Sequence, residues 1–422
     1  MAKTLFAGGA ILTNMTFSAA STTSYFECTG GLRARTSNEA RAQLTMRESG
    51  TFRSLRVNVA SNARTTNTTI TFRKNGADGN QTVTFGSGAT GWQADSTNFD
   101  TVTAGDVVNM KIVTGTGSET IAIRSVIMEY EADSGRISYF CLSINDAAAW
   151  RFDIGKELMP LTGYGAPSNV SFSSVSDYRA NRTEFGAPAT LSHFTINVID
   201  ETMNIDPVVK VYKNGVATSV GFTISGAGLY VDNVNTIDVD VGDYVYWEVD
   251  TTGRTSGDMR TAMASNRVSW HTDKFDLIGF ITVAQNPSSG EAGWAAGTRY
   301  AYTAGRMFAT PTEAEAGLKF PFGVTISRLR ACAINNDAAA ATFPVTLRVN
   351  GADVNANLTI PNGVAATVMT RDTTNTDTVV AEDIVNIKTV TQNGTSGLYQ
   401  VGLTLEGMSA FQPNFRIWFS RG

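Results

Sequence analysis

Hydrophobic and polar residues alternate with a period of two along most of this chain. Leu55, Val57 and Val59 are interleaved with Arg56 and Asn58, and Ile70 and Phe72 with Thr71 and Arg73. Phe194, Ile196 and Val198 repeat the pattern further on. Such alternation puts apolar side chains on one face of an extended segment and predicts half-buried β-strands rather than helices. Only Asn38–Arg47, Asp146–Leu158 and Pro311–Leu318 have room for a turn or two of helix.

The strands come in a pattern written three times. Leu55–Val59 then Ile70–Gly76, Phe194–Val198 then Val208–Gly215, and Leu329–Ala333 then Val345–Gly351 align as strand, polar break, strand and Asn-Gly. Asn-Gly supplies the two positive-φ residues of a type I′ hairpin, so Asn75-Gly76, Asn214-Gly215 and Asn350-Gly351 each mark a tight reversal. About thirty residues on, each copy reaches a small turn ending in Asp: Ala104-Gly105-Asp106, Val241-Gly242-Asp243 and Ala381-Glu382-Asp383. The Asn-Gly pair moves by 139 and 136 residues between copies, and the turn Asp by 137 and 140. Two separate markers thus share one period near 138.

Strands about eight to twelve residues apart give roughly eight per unit, which suits two packed sheets. The expected fold is all-β, with three tandem jelly-roll-like β-sandwich domains from an internal triplication. They span 1–135, 136–273 and 274–408, with a C-terminal tail over 409–422. Polar joints at Asp133–Arg136 and His271–Asp276 are too short to let the units drift far apart. Lys3 and the apolar run Leu5–Leu12 look like the start of a signal peptide. They align, however, with Ser138–Ile144 and Leu277–Ala284, so a first β-strand is the better reading.

Composition narrows the classes. Of 422 residues, 55 are Thr and 39 Gly, and 42% are hydrophobic, ample for a core. A net charge of −5 argues against a nucleic-acid surface, which needs clustered Lys and Arg. No apolar run is long enough for a membrane helix. Cys28, Cys141 and Cys332 are too few and scattered for a disulfide framework or a zinc cluster.

Candidate chemistry is sparse. Gly86-Ser87-Gly88-Ala89-Thr90-Gly91 fits G-x-G-x-x-G, but it follows strand Gln81–Phe85 into a β-loop, and a turn outweighs a dinucleotide site. His193 and His271 are the only histidines, they are not equivalent in the repeat, and no G-x-S-x-G elbow accompanies them. Asp232, Asp238, Asp240 and Asp243 offer oxygen ligands to calcium. Ile237, Val239 and Val241 alternate with them, which places the acids on the wet face of a strand. The turn Asp of each unit is expected to bond backbone amides of its own turn. No catalytic residue, cofactor or metal ligand is assigned.

The strand after that turn carries the candidate contact site. Val108, Met110 and Ile112 match Val245, Trp247 and Val249 as the core face. On the other face Val107, Asn109 and Lys111 match Ile384, Asn386 and Lys388, whereas the second unit has Tyr244, Tyr246 and Glu248. Two tyrosines beside a carboxylate suit a protein or sugar contact, against burial on a neighbouring unit or sheet edge. Phe411, Phe415 and Trp418, with Ile417 and Arg416, make the tail a second candidate contact.

Short jelly rolls rich in Thr, Ala, Gly and Asn, with strand pairs around Asn-Gly and an (Ala/Val)-Gly-Asp turn before a strand, resemble virion structural proteins of tailed bacteriophages. That resemblance spans all three units and implies a capsid decoration or cement protein, or a head-fibre-like one. It would be non-enzymatic, made in the host cytoplasm without a signal peptide and located in the virion. Its partners would be the major capsid protein or other virion proteins, with self-association or a pseudo-threefold arrangement within one chain. The alternative it implies is a tail or fibre protein that binds host glycan. For that role Trp92, Trp150 and Trp294 are candidates, weighed against core filling. A bacterial appendage subunit and a glycoside hydrolase rank below both.

Overall fold

A computed structural model describes residues 3–9, 15–31, 36–144, 150–152, 155–165, 182–280, 297–301, 305–306, 311–335, 342–362, 369–391 and 396–406. The candidate tail residues Phe411, Phe415 and Trp418 lie outside them, as does Trp294. The fold is all-β, as the alternation predicts. Its eight principal strands up to the first Asp-Ser-Gly-Arg connector are β1 (Lys3–Gly9), β2 (Thr23–Phe26), β3 (Gly50–Asn62), β4 (Thr68–Lys74), β5 (Ala77–Phe85), β6 (Gly91–Val102), β7 (Val107–Val113) and β8 (Ile121–Ala132). They form two antiparallel sheets, ordered β1-β8-β3-β6 and β2-β7-β4-β5.

The order recurs twice. Strands β9 (Ile137–Ile144), β10 (Lys156–Met159), β11 (Ala189–Glu201), β12 (Val208–Lys213), β13 (Val216–Thr223), β14 (Gly228–Asp232), β15 (Tyr244–Asp250) and β16 (Met259–Trp270) give β9-β16-β11-β14 and β10-β15-β12-β13. Strands β17 (Lys274–Phe280), β18 (Gly297–Ala301), β19 (Val324–Asn335), β20 (Phe343–Val349), β21 (Ala352–Ile360), β22 (Met369–Asp372), β23 (Ile384–Thr391) and β24 (Ser396–Glu406) give β17-β24-β19-β22 and β18-β23-β20-β21. Shorter strands flank these. Only residues 133–136 and 271–273 separate one group from the next, so the second connector is shorter than the sequence suggests.

Alternation explains how the sheets pack. Phe52 of β3 meets Phe72 of β4 across the first sandwich at 4.9 Å between ring centroids, and Phe194 of β11 meets Trp247 of β15 at 5.6 Å. Each such ring is fully buried, worth about 1.5–3 kcal/mol in water-avoidance alone. Two edge strands, β5 and β21, are blunted by carboxylates. Asp95 and Asp100 of β6 accept the amides of Thr82, Asn80 and Gln81 on edge strand β5 at 2.7–3.1 Å, and Asp372 and Asp377 do the same for Asn357, Asn355 and Ala356 on β21. An edge whose amides are already bonded is a poor template for another chain.

The expected helical turns resolve differently. Asn38–Arg47 holds one 3-10 turn at Glu39–Ala42, where Asn38 accepts the Ala40 amide, and Pro311–Leu318 holds another at Glu313–Glu315. Within Asp146–Leu158 the described residues are instead strands, Trp150–Phe152 and Lys156–Met159. They add to β16 and β15, whose open edges supply ladder bonds that outweigh weak local propensity.

The three sandwiches touch pairwise. Arg47 of the first donates its amide to the Tyr139 hydroxyl of the second at 2.7 Å, and Glu48 pairs with Arg267 at 3.1 Å. Gly186 of the second donates its amide to Asp276 of the third at 2.7 Å, and Glu184 pairs with Arg371 at 2.6 Å. Arg56 of the first forms an ion pair with Glu382 of the third. Core packing crosses the same boundaries: Tyr139, Cys141 and Met263 join the first sandwich's apolar cluster, while Ile127 and Trp92 pack into the cluster of the other two.

Candidate functional site

The two markers that set the repeat are halves of one clasp. Asn75 sits at φ 52° and Gly76 at φ 75°, the left-handed pair that a type I′ turn requires, and Asn214-Gly215 and Asn350-Gly351 match them. This geometry presents the Asn side chain to the turn Asp. Asn75 Nδ2 donates to Asp106 Oδ1 at 2.6 Å, while its Oδ1 accepts the Val107 amide at 2.9 Å. Asn214 with Asp243 and Tyr244, and Asn350 with Asp383 and Ile384, repeat both bonds. The second oxygen of each Asp accepts an amide of its own turn, from Thr103, Asp240 or Val380, each at 2.8 Å. The Thr103 amide is the main reason that the Asp106 carboxyl is held below the usual carboxylate range.

Directly after the second clasp lies the candidate contact site on β15. Trp247 points into the core and is fully buried, so Tyr244, Tyr246 and Glu248 share the opposite face, as the register requires. That face is largely closed. Tyr246 is only 4% exposed and Glu248 7%, with Tyr244 half-buried. Tyr212 of β12 stacks on Tyr246 at 5.3 Å and 8°, and Tyr246 on Tyr244 at 6.4 Å and 12°. The Arg182 guanidinium lies 4.1 Å from the Tyr244 ring centre and 5.7 Å from that of Tyr246. Burial pushes the Tyr246 hydroxyl up to about 12. Glu248 accepts from the Tyr212 hydroxyl at 3.0 Å and pairs with Lys156 at 2.9 Å, which leaves it occupied rather than poised as a base.

Sequence reasoning missed Tyr212, Arg182 and Lys156, the other members of this cluster. Tyr212 precedes Asn214 by two residues, where the other two sandwiches have Arg73 and Arg348 before their own Asn-Gly, so that spacing holds the signal. Beside Tyr244 a cleft of about 220 Å³ opens between the second and third sandwiches, with Arg182, Glu184, Met369 and Arg371 in its wall.

Other groups are spoken for. His271 Nε2 lies 2.8 Å from the Thr190 hydroxyl, which donates to Asp238 at 2.6 Å. The acid therefore binds the hydroxyl, whereas a catalytic triad needs it on the imidazole. His193 occupies a bulge at φ 52°, as Ser54 does at φ 57°, and bonds Ser192. Burial, then Arg267 and Arg47, hold its pKa below the usual histidine value. Asp232 accepts the amides of Val234 and Asn235, and Asp243 takes Lys213 at 2.8 Å. Among the described residues no group of three His, Cys, Asp or Glu could hold a metal ion. The three cysteines are buried and form no disulfide with one another, and burial pushes the Cys28 thiol up to about 12. No protein-family model matches the chain, and no curated protein is similar to it.

Proposed function

We propose that this chain is a non-enzymatic virion structural protein, a capsid decoration or cement protein that binds across neighbouring major capsid subunits and stabilises the shell. In this reading each sandwich is a jelly roll and the three arose by triplication. The supporting observation is the strand order, first-eighth-third-sixth facing second-seventh-fourth-fifth, present three times in one chain whose copies touch pairwise. Three units in mutual contact imitate a trimer, and a ring of head-to-tail contacts closes without leaving an open interface. Joining them covalently lets one outer face diverge, as the Tyr212–Tyr246–Tyr244 stack does, while the others stay ionic.

Quantitative mass spectrometry of purified particles, scaled to the major capsid protein, tests this. Hundreds of copies per particle are expected, together with a higher particle melting temperature when the protein is added back. A few dozen copies or fewer would move the protein to the tail or a vertex. The cleft beside Tyr244, with an aromatic ring and two guanidinium groups, favours host-glycan binding as the second reading. A glycan array would then give saturable binding. Absence from particles would overturn both readings.

A further inference from the structure

We propose that Glu382 is the latch that closes the three sandwiches into a ring, and that it selects the first sandwich as the partner of the third. This rests on the ring arrangement above and not on the virion assignment.

Each contact sets the outer face of one sandwich against a turn of another. The turns are Met46–Glu48, Phe185–Ala187 and Phe320–Phe322, aligned because Met46, Phe185 and Phe320 each accept an amide from the clasp turn at 2.8 Å. The sheet register aligns Leu5, Tyr139 and Asp276, which pair with Glu129, Arg267 and Thr404 in turn, and of these Tyr139 and Asp276 meet the turns. Arg56, Thr195 and Arg330 align beside these on β3, β11 and β19.

Two contacts use one backbone handshake. The Arg47 amide donates to Tyr139, and the Gly186 amide to Asp276. At the third the aligned turn residue is Pro321, which has no N–H to donate. Glu382 supplies the substitute. Its carboxylate bonds Arg56 of the first sandwich and Lys319 of the third, the latter at 2.8 Å. Arg56 is 5% exposed, a cation whose burial needs such a partner.

The backbone supports a selected role. Glu382 stands at φ 75°, where the matching turns have Gly105 at φ 100° and Gly242 at φ 91°. An L side chain is disfavoured there, so a glycine would fit this turn more easily. The glutamate is the one member of the three with a side chain to offer across a joint, and this joint has no connector of its own.

The test uses full-length variants and hydrogen exchange read by mass spectrometry. Glu382→Gly should fold, since glycine fills both matching turns. It should speed exchange at residues 318–323 at least tenfold while leaving the second–third contact at residues 184–187 unchanged. Glu382→Lys, which sets three cations together, should exceed this and expand the scattering envelope, and Glu382→Lys with Arg56→Glu should recover the parent behaviour. Exchange within twofold of the parent in Glu382→Gly, or no recovery in the charge-swapped pair, would overturn the latch. A parent chain that sediments as a dimer would instead place this contact between two copies and overturn closure within one chain.

Discussion

The outer faces of the first and third sandwiches hold an ionic cluster where the second holds an aromatic one. In the first, Arg73 is held by Glu39 at 2.8 Å and by Asp78, which also pairs with Lys111, and it lies 5.6 Å from the Tyr25 ring centre. In the third, Arg348 pairs with Glu313 at 2.6 Å and with Asp353, Lys388 pairs with Asp353, and Tyr300 lies under the guanidinium. In the second, Tyr212 takes the arginine position, Tyr246 the position of Asn109 and Asn386, and Glu248 that of Lys111 and Lys388. Both solutions cover the same strand. The lesson is that this face needs its area covered, and either ion pairs or stacked rings do so; the ionic version still leaves Oδ1 and Nδ2 of buried Asn109 and Oδ1 of Asn386 without hydrogen bonds.

The two solutions should respond differently to substitution. Tyr246→Ala removes a buried ring that stacks on two others, and we expect a loss of about 3 kcal/mol or more in denaturant unfolding. Asn386→Ala at the matching position should cost only about 1 kcal/mol, because its Nδ2 contact to Glu313 is a single 3.2 Å bond. Equal losses would break the comparison.

Next in size is Arg348→Met, which takes from Glu313 its cation and leaves Asp353 with Lys388 alone. Because those carboxylates are partly exposed, the expected cost is about 1–2 kcal/mol after allowing for solvent screening. Melting at low and at about 1 M salt sharpens the contrast: the Arg348→Met penalty should shrink with salt and the Tyr246→Ala penalty should not. A penalty that ignores salt would show that the arginine acts through packing over Tyr300.

The smallest effect concerns the clasp that both kinds of sandwich share. Asp106 has its pKa lowered in the folded state, chiefly by the Thr103 amide. A lowered carboxylate pKa adds stability above the unfolded value, and that stability is lost as pH falls through the folded one. Asp106→Asn should therefore cost about 0.5–1 kcal/mol near neutral pH and flatten the acid side of the stability curve. An unchanged acid slope would shift the acid sensitivity to the depressed carboxylates of Asp95 and Asp372.

Much of the fold is legible in the sequence. Alternation at Leu55–Val59 and Phe194–Val198 located strands, and Asn-Gly located hairpins whose φ values match. The common period of Asn-Gly and the turn Asp has a physical cause, because the two side chains bond each other. The contact site was half legible. Register separated Trp247 from Tyr244, Tyr246 and Glu248, but alternation cannot say what covers a strand's second face. Here Arg182 and Tyr212 cover it.

What the sequence by itself determined is local: the strand faces, the type I′ turns and the clasp, all set by side-chain alternation and the φ range open to Asn and Gly. What only the tertiary structure decided is which distant groups meet. Arg56 and Glu382 lie 326 residues apart, and nothing near either in sequence distinguishes their ion pair from ordinary surface charge. The pairing exists because three sandwiches bring a buried cation and a turn carboxylate to one joint.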